Sequence, residues 1–347
     1  MLKMNLSSGC LTKFLKAMGI ILLILLFILA GLAVNQNIAL NRLREQYPAP
    51  GKLVEVAGHT MHINCRGSGS PTVVIDAGNG SFSIEWQPIQ DQLTQSVRVC
   101  TYDRSGYGWS ESGPQPRDGR QVVVELHDLL EAAGERGPYV LVGHSLGGVR
   151  VRMFAAQYPE NTAGMLLVDT AYPLTITPEF EQQMQGSIGF YQVMNLLTGS
   201  GIMRILGPLG GEKAMPETAR KLPADLQQPY LNLLLDPVQY TTASSEMAHL
   251  PQTFKDTSGL LIRDQPFGAL PLIVLTAGQT SAVGSTPFDV HSIPVDDHRI
   301  ELQAELARQS SQGEQRVIAN SGHLIHLDAP QDVIVAFQDL IAMIRRP

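Results

Sequence analysis

The sequence predicts an α/β protein whose mostly parallel sheet is covered by helices on both faces. From residue 52 onward, short strand-like segments alternate with helical segments. Most of the strand-like segments are continuous apolar runs, which is typical of strands buried on both faces and joined by helical crossovers. The third observation is an uninterrupted apolar stretch near the N-terminus. It precedes the alternating segments, and we expect it to lie outside the globular fold.

Composition excludes several classes of protein. The chain has 347 residues, of which 44% are hydrophobic and 16% charged, and its formal net charge is -7. A disordered chain needs lower hydrophobicity and higher charge, and a repeat array needs self-similarity at a fixed period, which the sequence lacks. Because the chain is acidic and has no basic stripe, we expect no nucleic-acid partner. An ordered globular chain, long enough for a large core, remains.

The N-terminal apolar stretch covers residues 17–34, which are 18 consecutive residues without a charge. As a helix it would be about 27 Å long, close to the ~30 Å hydrocarbon core of a bilayer. Lysines precede it, so the positive-inside rule places residues 1–16 in the cytoplasm and the rest of the chain outside. We therefore expect a transmembrane signal anchor, followed by a linker at 35–51 that ends in Pro and Gly.

Export is also expected if the stretch is a cleaved signal peptide, an alternative that the small residues Gly31 and Ala33 keep open. The apolar run is long for that role, which favours the anchor. Cysteine usage fits export, because Cys10 precedes the stretch and leaves Cys65 and Cys100 as an even pair on the oxidising side. Metal binding is the alternative for these cysteines, but no close CxxC or HxxxH pattern accompanies them.

The expected elements of the body can be placed along the chain. Strands are predicted at 52–56, 60–65, 71–76, 97–102, 139–143, 165–169, 272–276 and 315–319. Helices are predicted at 84–95, 120–133, 146–157, 298–309 and 331–344. The core of the sheet domain is therefore expected to comprise residues 52–170 and 271–347.

One interval, residues 171–270, breaks this alternation. It contains no clear strand and is rich in Gly and Pro, with helix-like stretches near 190–197 and 229–235. A compact sheet domain rarely contains a structureless connection of that length, so we expect an inserted cap. Five methionines fall in the interval, and they suit either an adaptable apolar binding surface or the filling of gaps in a small helical core.

A nucleophile motif follows the strand at 139–143. The residues are Gly143-His144-Ser145-Leu146-Gly147, a GxSxG pattern between a strand and a helix. In a nucleophile elbow the serine adopts a strained backbone conformation that exposes its hydroxyl, and the glycines let the flanking elements approach closely. We therefore expect Ser145 to be the nucleophile of a hydrolase.

A serine hydroxyl needs a general base, and His323 is the expected one. It follows Gly322 in a loop after the last predicted strand, at the carboxyl edge of the sheet where open α/β sheets bind ligands. His326, three residues later, is the competitor, although a packed loop histidine would explain it equally well.

Together with Ala77-Gly78-Asn79-Gly80, residues 102–110 and Ser321-Gly322-His323, the GxSxG motif resembles the α/β-hydrolase superfamily. The resemblance covers residues 52–345 and is greatest to the branch of lipases, esterases and peptidases related to proline iminopeptidase. It implies an eight-stranded sheet with a helical cap between the sixth and seventh strands.

The same resemblance implies further features of the site. The backbone N–H groups of Asn79 and Leu146 would form the oxyanion hole, although Ala77 replaces the histidine that usually begins the first loop. The strands of Cys65 and Cys100 would be neighbours, which makes a disulfide between them plausible. Relatives that act on alkyl halides or epoxides use an aspartate as nucleophile, so Ser145 argues against those activities.

The acid of the triad has several candidates. Members of the family often carry it after the seventh strand, but residues 276–284 contain no carboxylate. Asp169, at the end of the sixth strand, is a position that some relatives use, and it is the expected acid. Asp289, and Asp296 or Asp297, remain alternatives, as does the absence of any acid.

These features predict a membrane-anchored, extracytoplasmic serine hydrolase that needs no metal or organic cofactor. A small-molecule acyl ester is the expected substrate, because the machinery suits esters and a methionine-rich cap suits an acyl chain. Peptidase or amidase activity is the second interpretation, since the fold does not separate esters from amides. A catalytically silent receptor on the same scaffold is the third.

Overall fold

The computed structural model describes residues 8–172, 177–211, 215–261, 263–279 and 297–346. These residues form one eight-stranded sheet in the order β1-β2-β4-β3-β5-β6-β7-β8. The first strand pairs antiparallel with the second, the second pairs antiparallel with the fourth, and the remaining pairs are parallel. The strands are β1 Lys52–Val56, β2 His59–Arg66, β3 Thr72–Asp76, β4 Val99–Tyr102, β5 Tyr139–His144, β6 Thr162–Val168, β7 Leu272–Ala277 and β8 Gly313–Ile318. The predicted fold class is thereby confirmed.

Helices cover both faces of the sheet, as continuous apolar strands require. Helices are numbered along the chain, and α1 and the cap helices α5 to α10 are described below. The helices that cover the sheet are α2 Gln87–Leu93, α3 Gly119–Ala133, α4 Leu146–Gln157, α11 Asp297–Ala307, α12 Ile325–Asp328 and α13 Pro330–Ile344. Side chains of α2 and α13 pack in one hydrophobic cluster with the sheet, and side chains of α3, α4 and α11 pack in a second cluster. The single helix expected at 84–95 is a 3₁₀ turn followed by α2, whose first turn holds Pro88. Proline lacks an N–H donor, so it is tolerated in a first helical turn but not further inside.

The N-terminal helix, α1, extends over Ser8–Gln46. It is long and apolar enough to cross a membrane, with a mean hydropathy of 3.0 in its most apolar window. Residues 35–46, which the sequence analysis assigned to a linker, continue this helix instead. They contain neither Pro nor Gly, so nothing interrupts the helix until Pro48. Only residues 47–51 leave the helical conformation before β1.

The cap lies between β6 and β7, and every regular element described in it is helical. Its helices are α5 Pro178–Gly199, α6 Ile202–Gly210, α7 Glu217–Lys221, α8 Ala224–Leu233, α9 Pro237–Ala248 and α10 Leu250–Leu261. Side chains of α5, α8 and α9, among them Tyr191 and Met194, form a hydrophobic cluster with Phe82, Ile84 and Tyr107 of the α/β body. The cap therefore packs on the body through a shared apolar cluster, and Met194 is one of the side chains that fill it.

The two cysteines beyond α1 are opposite each other in the register of β2 and β4. Their Cα atoms are 4.0 Å apart, and a disulfide joins Cys65 to Cys100 across 35 positions of sequence. The antiparallel pairing of these strands brings the cysteines together, which spacing in the sequence alone does not indicate.

Candidate active site

Ser145 occupies a sharp turn between β5 and α4, with φ 53° and ψ -122°. A positive φ is strained for a residue with a side chain and costs about 1–3 kcal/mol, so the surrounding structure must hold it. A Cβ on Gly147 would be 2.2 Å from the carbonyl oxygen of Asp76, and one on Gly143 would be 2.6 Å from Gly148 Cα. The glycines of the motif are therefore required by close backbone contacts on both sides of Ser145.

Backbone hydrogen bonds attach Ser145 to the end of β6. Its N–H donates to the carbonyl of Val168 at 3.1 Å, and its carbonyl accepts from the N–H of Ala171 at 3.0 Å. These two hydrogen bonds hold the loop after β6, which contains Asp169, against Ser145. The structure thus brings the predicted nucleophile and the predicted acid to the same edge of the sheet.

Asp169 is buried and also has a positive φ, of 43°. Its Oδ1 accepts from the N–H of Ala277 at 3.0 Å, and its Oδ2 lies 2.6 Å from His323 Nδ1. Burial alone would raise the pKa of Asp169, but the hydrogen bond and charge of His323, with the charge of Arg299, lower it below its usual value. Asp169 is therefore an anion that can only accept hydrogen bonds, so His323 Nδ1 carries the donated proton.

His323 is held in the loop between β8 and α12. Its carbonyl accepts from His144 Nε2 at 2.9 Å, and the two imidazole rings lie 4.6 Å apart between centroids. With Nδ1 protonated toward Asp169, Nε2 of the neutral ring is its basic nitrogen. His144, the residue directly before Ser145, thus couples the loop of His323 to the nucleophile turn.

His326, the competing base, lies against the ring of His144, with centroids 4.6 Å apart. It is buried in α12, where its ring stacks on Trp86 with centroids 4.5 Å apart. Its Nε2 is 3.7 Å from Oε2 of Glu85, and burial lowers the pKa of His326. His326 packs beneath the site, whereas His323 contacts Asp169.

The sequence analysis left three other aspartates open as the acid. Asp289 and Asp296 lie outside the described residues, and Asp297 begins α11. Arg299, two residues further along α11, forms an ion pair with Oδ2 of Asp169. Sequence reasoning missed Arg299, because a cation on a half-exposed helix carries no signal that it faces the end of a distant strand.

The loop after β3 passes over Ser145. A Cβ on Gly78 would be 3.1 Å from Ser145 Cβ, so the backbone of this loop and the first turn of α4 flank the serine. The side chain of Asn79 points into the cap, where Oδ1 accepts from the Tyr191 hydroxyl at 2.7 Å and Nδ2 donates to Glu246 Oε2 at 3.0 Å. The two predicted oxyanion residues, Asn79 and Leu146, therefore lie on the two segments that border Ser145.

A buried charge cluster, consisting of Asp76, Arg104, Arg150 and Glu246, supports this loop. Arg104 donates to the carbonyls of Ala77 and Gly78, at 2.9 and 2.8 Å, and to Glu246 Oε1 at 2.9 Å. Burial would raise the pKa of Glu246, but the charges of the two arginines lower it to about 2. Arg104 lies within residues 102–110, which carry part of the family resemblance, whereas the sequence did not single out Glu246 on cap helix α9.

Groups that could hold a metal ion occur away from this site in the described residues. Cys65 and Cys100 lie near Glu135, but the disulfide removes both thiolates. A second group, His127, Asp128 and Glu131, lies on one partly exposed side of α3. Such acidic groups on a helix are common without an ion, and neither group adjoins Ser145.

Comparisons with known proteins identify the family of the fold. A model of a family described as "Alpha/beta hydrolase family" matches residues 73–337. The chain is similar to an uncharacterised protein of Bacillus subtilis, YqjL, with 37% identity over 115 residues, which is 33% of this chain and 45% of that protein. The chain thus spans less than half the length of this curated relative.

Solved structures share the fold at low sequence identity. An esterase from Thermogutta terrifontis has a TM-score of 0.62 and 21% identity, and the match covers 85% of this chain and 99% of the esterase. An epoxide hydrolase from Bacillus megaterium has a TM-score of 0.57 and 16% identity, covering 84% of this chain and 100% of that enzyme. These structures show a common architecture that carries more than one kind of chemistry.

Proposed function

Because the chain belongs to the alpha/beta hydrolase family, we propose that it is a serine hydrolase with Ser145, His323 and Asp169 as its catalytic triad. The observation that carries the proposal is the hydrogen bond between His323 Nδ1 and Asp169, next to a serine held at a positive φ. In a protein of this family, a base oriented by an acid beside a strained serine has the geometry that nucleophilic catalysis needs.

The proposed reaction has two steps. His323 Nε2 takes the proton of the Ser145 hydroxyl as Oγ attacks the substrate carbonyl, and it then returns the proton to the leaving group. In the second step, His323 Nε2 takes a proton from water as the water oxygen attacks the acyl carbonyl. The proton then passes to Ser145 Oγ as the acid product leaves. Asp169 stabilises the imidazolium during both steps, and the backbone N–H groups of Asn79 and Leu146 stabilise the oxyanion.

A carboxylic ester is the proposed substrate class. The serine at the nucleophile position disfavours epoxide opening, which relatives perform with an aspartate. The cap adds a methionine- and leucine-lined interior that suits an acyl chain better than a charged peptide. Peptidase or amidase activity remains the second candidate, and its separation from esterase activity needs substrates of both kinds.

Labelling with a fluorophosphonate probe tests the proposal directly. We expect the full chain in detergent to be labelled, Ser145→Ala to abolish labelling, and His323→Ala and Asp169→Asn to slow it strongly. Ser187→Ala, which changes a half-buried serine on α5, is the matched control and should be labelled normally. Absence of labelling in folded wild-type chain would refute an activated serine and favour the silent receptor.

We also propose that α1 anchors the chain in a membrane, with residues 1–16 in the cytoplasm and the α/β body outside. The support is the length and apolarity of α1 and the lysines that precede its apolar part. Cys10 provides the test, because it is the only cysteine outside the disulfide. A membrane-impermeant maleimide should label Cys10 only in permeabilised cells, and labelling in intact cells would reverse the orientation.

A further inference from the structure

The cap contacts α1 at the level where the apolar part of that helix ends. Gln36 of α1 is buried, and its Nε2 donates to the carbonyl of Leu235 at 2.7 Å while its Oε1 accepts from Arg204. A Cβ on Gly201 would be 2.9 Å from the carbonyl oxygen of Leu32. The start of α6 therefore lies against the last turn of the proposed membrane-spanning stretch.

The same side of the cap exposes large apolar side chains. On α6, Ile205, Leu206 and Leu209 share one face and are 51%, 50% and 78% exposed. On α5, Val193 and Leu196 are 54% and 70% exposed. Large exposed apolar patches on soluble proteins mark interaction sites. Arg204 is the one charged residue of α6, and it is engaged with Gln36.

Behind α6 the cap contains a partly open cavity of about 450 Å³. Its lining is mainly apolar and includes Met194, Met203, Met215, Leu231 and Leu234. The volume falls within the range of small-molecule binding sites, and methionine suits a flexible apolar ligand. Met194 lies one helical turn after Tyr191, whose hydroxyl donates to Asn79 of the candidate oxyanion loop. Helix α5 thus contributes both to the lining of the cavity and to the contact with the candidate oxyanion loop.

We propose that the face formed by α6 and the end of α5 rests on the lipid bilayer, and that the cavity behind it takes the acyl chain of a substrate drawn from that bilayer. We assign the bilayer to this face because α6 packs against α1 at the end of the apolar stretch of α1. If that stretch spans the membrane, the surface beside it is the bilayer. An amphipathic helix with leucines on one face binds such an interface by sinking that face among the headgroups. This inference rests on the proposed membrane anchoring and, for the cavity, on the proposed acyl substrate.

Fluorescence quenching in the full chain tests the bilayer contact. In a Cys10→Ser background, Leu206→Cys and Val335→Cys each receive an environment-sensitive fluorophore, since the two positions are equally exposed, at 50%. The chain is reconstituted in phosphatidylcholine vesicles with a nitroxide near the top of the acyl chains. We expect the nitroxide to quench most of the emission at position 206 and little at 335, and iodide in the buffer to do the reverse.

Equal quenching of both positions by iodide would overturn the bilayer contact. This readout needs no hydrolysis, so it stands even if the chain turns over no ester. A failure of α1 to insert would show as loss of the chain from floated vesicles, which separates failure of the anchoring from failure of the α6 contact.

Photocrosslinking tests the cavity. A diazirine-bearing long-chain fatty acid is added to the same vesicles, and we expect crosslinks to peptides of α6 and α8. Met203→Trp fills the cavity and should reduce the yield about tenfold, as expected if burial of one or two methylenes is lost. Val335→Trp, on α13 and outside the cap, is the matched control and should leave the yield unchanged. Equal yields in both variants would refute the cavity as an acyl site.

Discussion

Replacing Glu246 with glutamine should both destabilise the protein and disturb the candidate oxyanion loop. Glu246 is buried, and its oxygens accept hydrogen bonds from Arg104, Asn79 and Tyr107. The amide of Glu246→Gln keeps one acceptor but turns an N–H₂ group toward donors, and it removes the charge that the two arginines face. Removing one partner of a buried ion pair typically costs 3–5 kcal/mol, because the other charge stays buried.

The lowered pKa of Glu246 gives a second value for its contribution to the free energy of unfolding. Its pKa is about 2 in the folded protein, against an ordinary value of 4.5. Since one pKa unit corresponds to ~1.4 kcal/mol, the lowered pKa contributes roughly 3 kcal/mol to the free energy of unfolding. A lowered carboxyl pKa stabilises the fold above pH 4.5, and this contribution is lost as the pH falls from about 4.5 toward about 2.

Urea unfolding of the full chain in detergent measures this contribution. At neutral pH we expect Glu246→Gln to lower the free energy of unfolding by roughly 3 kcal/mol, and the difference from wild type to shrink below pH 4.5. Glu217→Gln is the matched control in the cap, because Glu217 is partly exposed and pairs with Lys221. Its cost should stay below about 1 kcal/mol.

Ester turnover provides a second readout of the same variant. Loss of one oxyanion donor lowers kcat by about 100-fold to 1000-fold, so a displaced Asn79 backbone should reduce kcat much more than KM. A loss of stability below about 1 kcal/mol at neutral pH, or a difference from wild type that does not change with pH, would refute the reasoning. In that case the cluster would not depend on the charge of Glu246.

Three further substitutions test other parts of the structure. Asp169→Asn should lower kcat for an aryl ester by about 10⁴-fold with an unchanged circular dichroism spectrum, and a loss below tenfold would argue for another acid. Gly148→Val should prevent correct folding, because a Cβ there would be 1.9 Å from Thr170 Oγ1, and folded yield in size-exclusion chromatography checks this. The double variant Cys65→Ser/Cys100→Ser should lower the free energy of unfolding by roughly 4 kcal/mol, and unchanged urea and thermal midpoints would contradict that.

Most of the sheet was predictable because each strand has its own local signal. β1 begins and ends where the apolar pattern predicts, and α4 agrees at both ends because the glycine-rich turn and Tyr158 border it. The family membership was also predictable, since the serine motif needs glycines at fixed positions around a strained residue. Signals of this kind act over a few residues and do not depend on the rest of the fold.

What the sequence did not reveal depends on contacts between distant segments. Arg299 meets Asp169 across 130 positions of sequence, and Glu246 meets Arg104 across 142. Neither residue belongs to a motif, because each acts through a helix face whose orientation is set by packing. The continuation of α1 over residues 35–46 also depends on distant contacts, because Gln36 and Arg44 donate hydrogen bonds to Leu235 and Asp236 of the cap.

These long-range contacts link the cap to the candidate active site through single rigid elements. Helix α5 carries Tyr191, which holds Asn79, and also Leu196, which is 70% exposed on the proposed bilayer face. The two are five positions apart, which is about 7.5 Å along a helix axis. Because a helix is stiff over that length, we expect a shift of α5 at the bilayer to displace the Tyr191 hydroxyl, which hydrogen-bonds to Asn79 of the candidate oxyanion loop. The cap therefore belongs to the proposed catalytic apparatus as well as to substrate binding, and its deletion should impair turnover even of short esters that never reach the cavity.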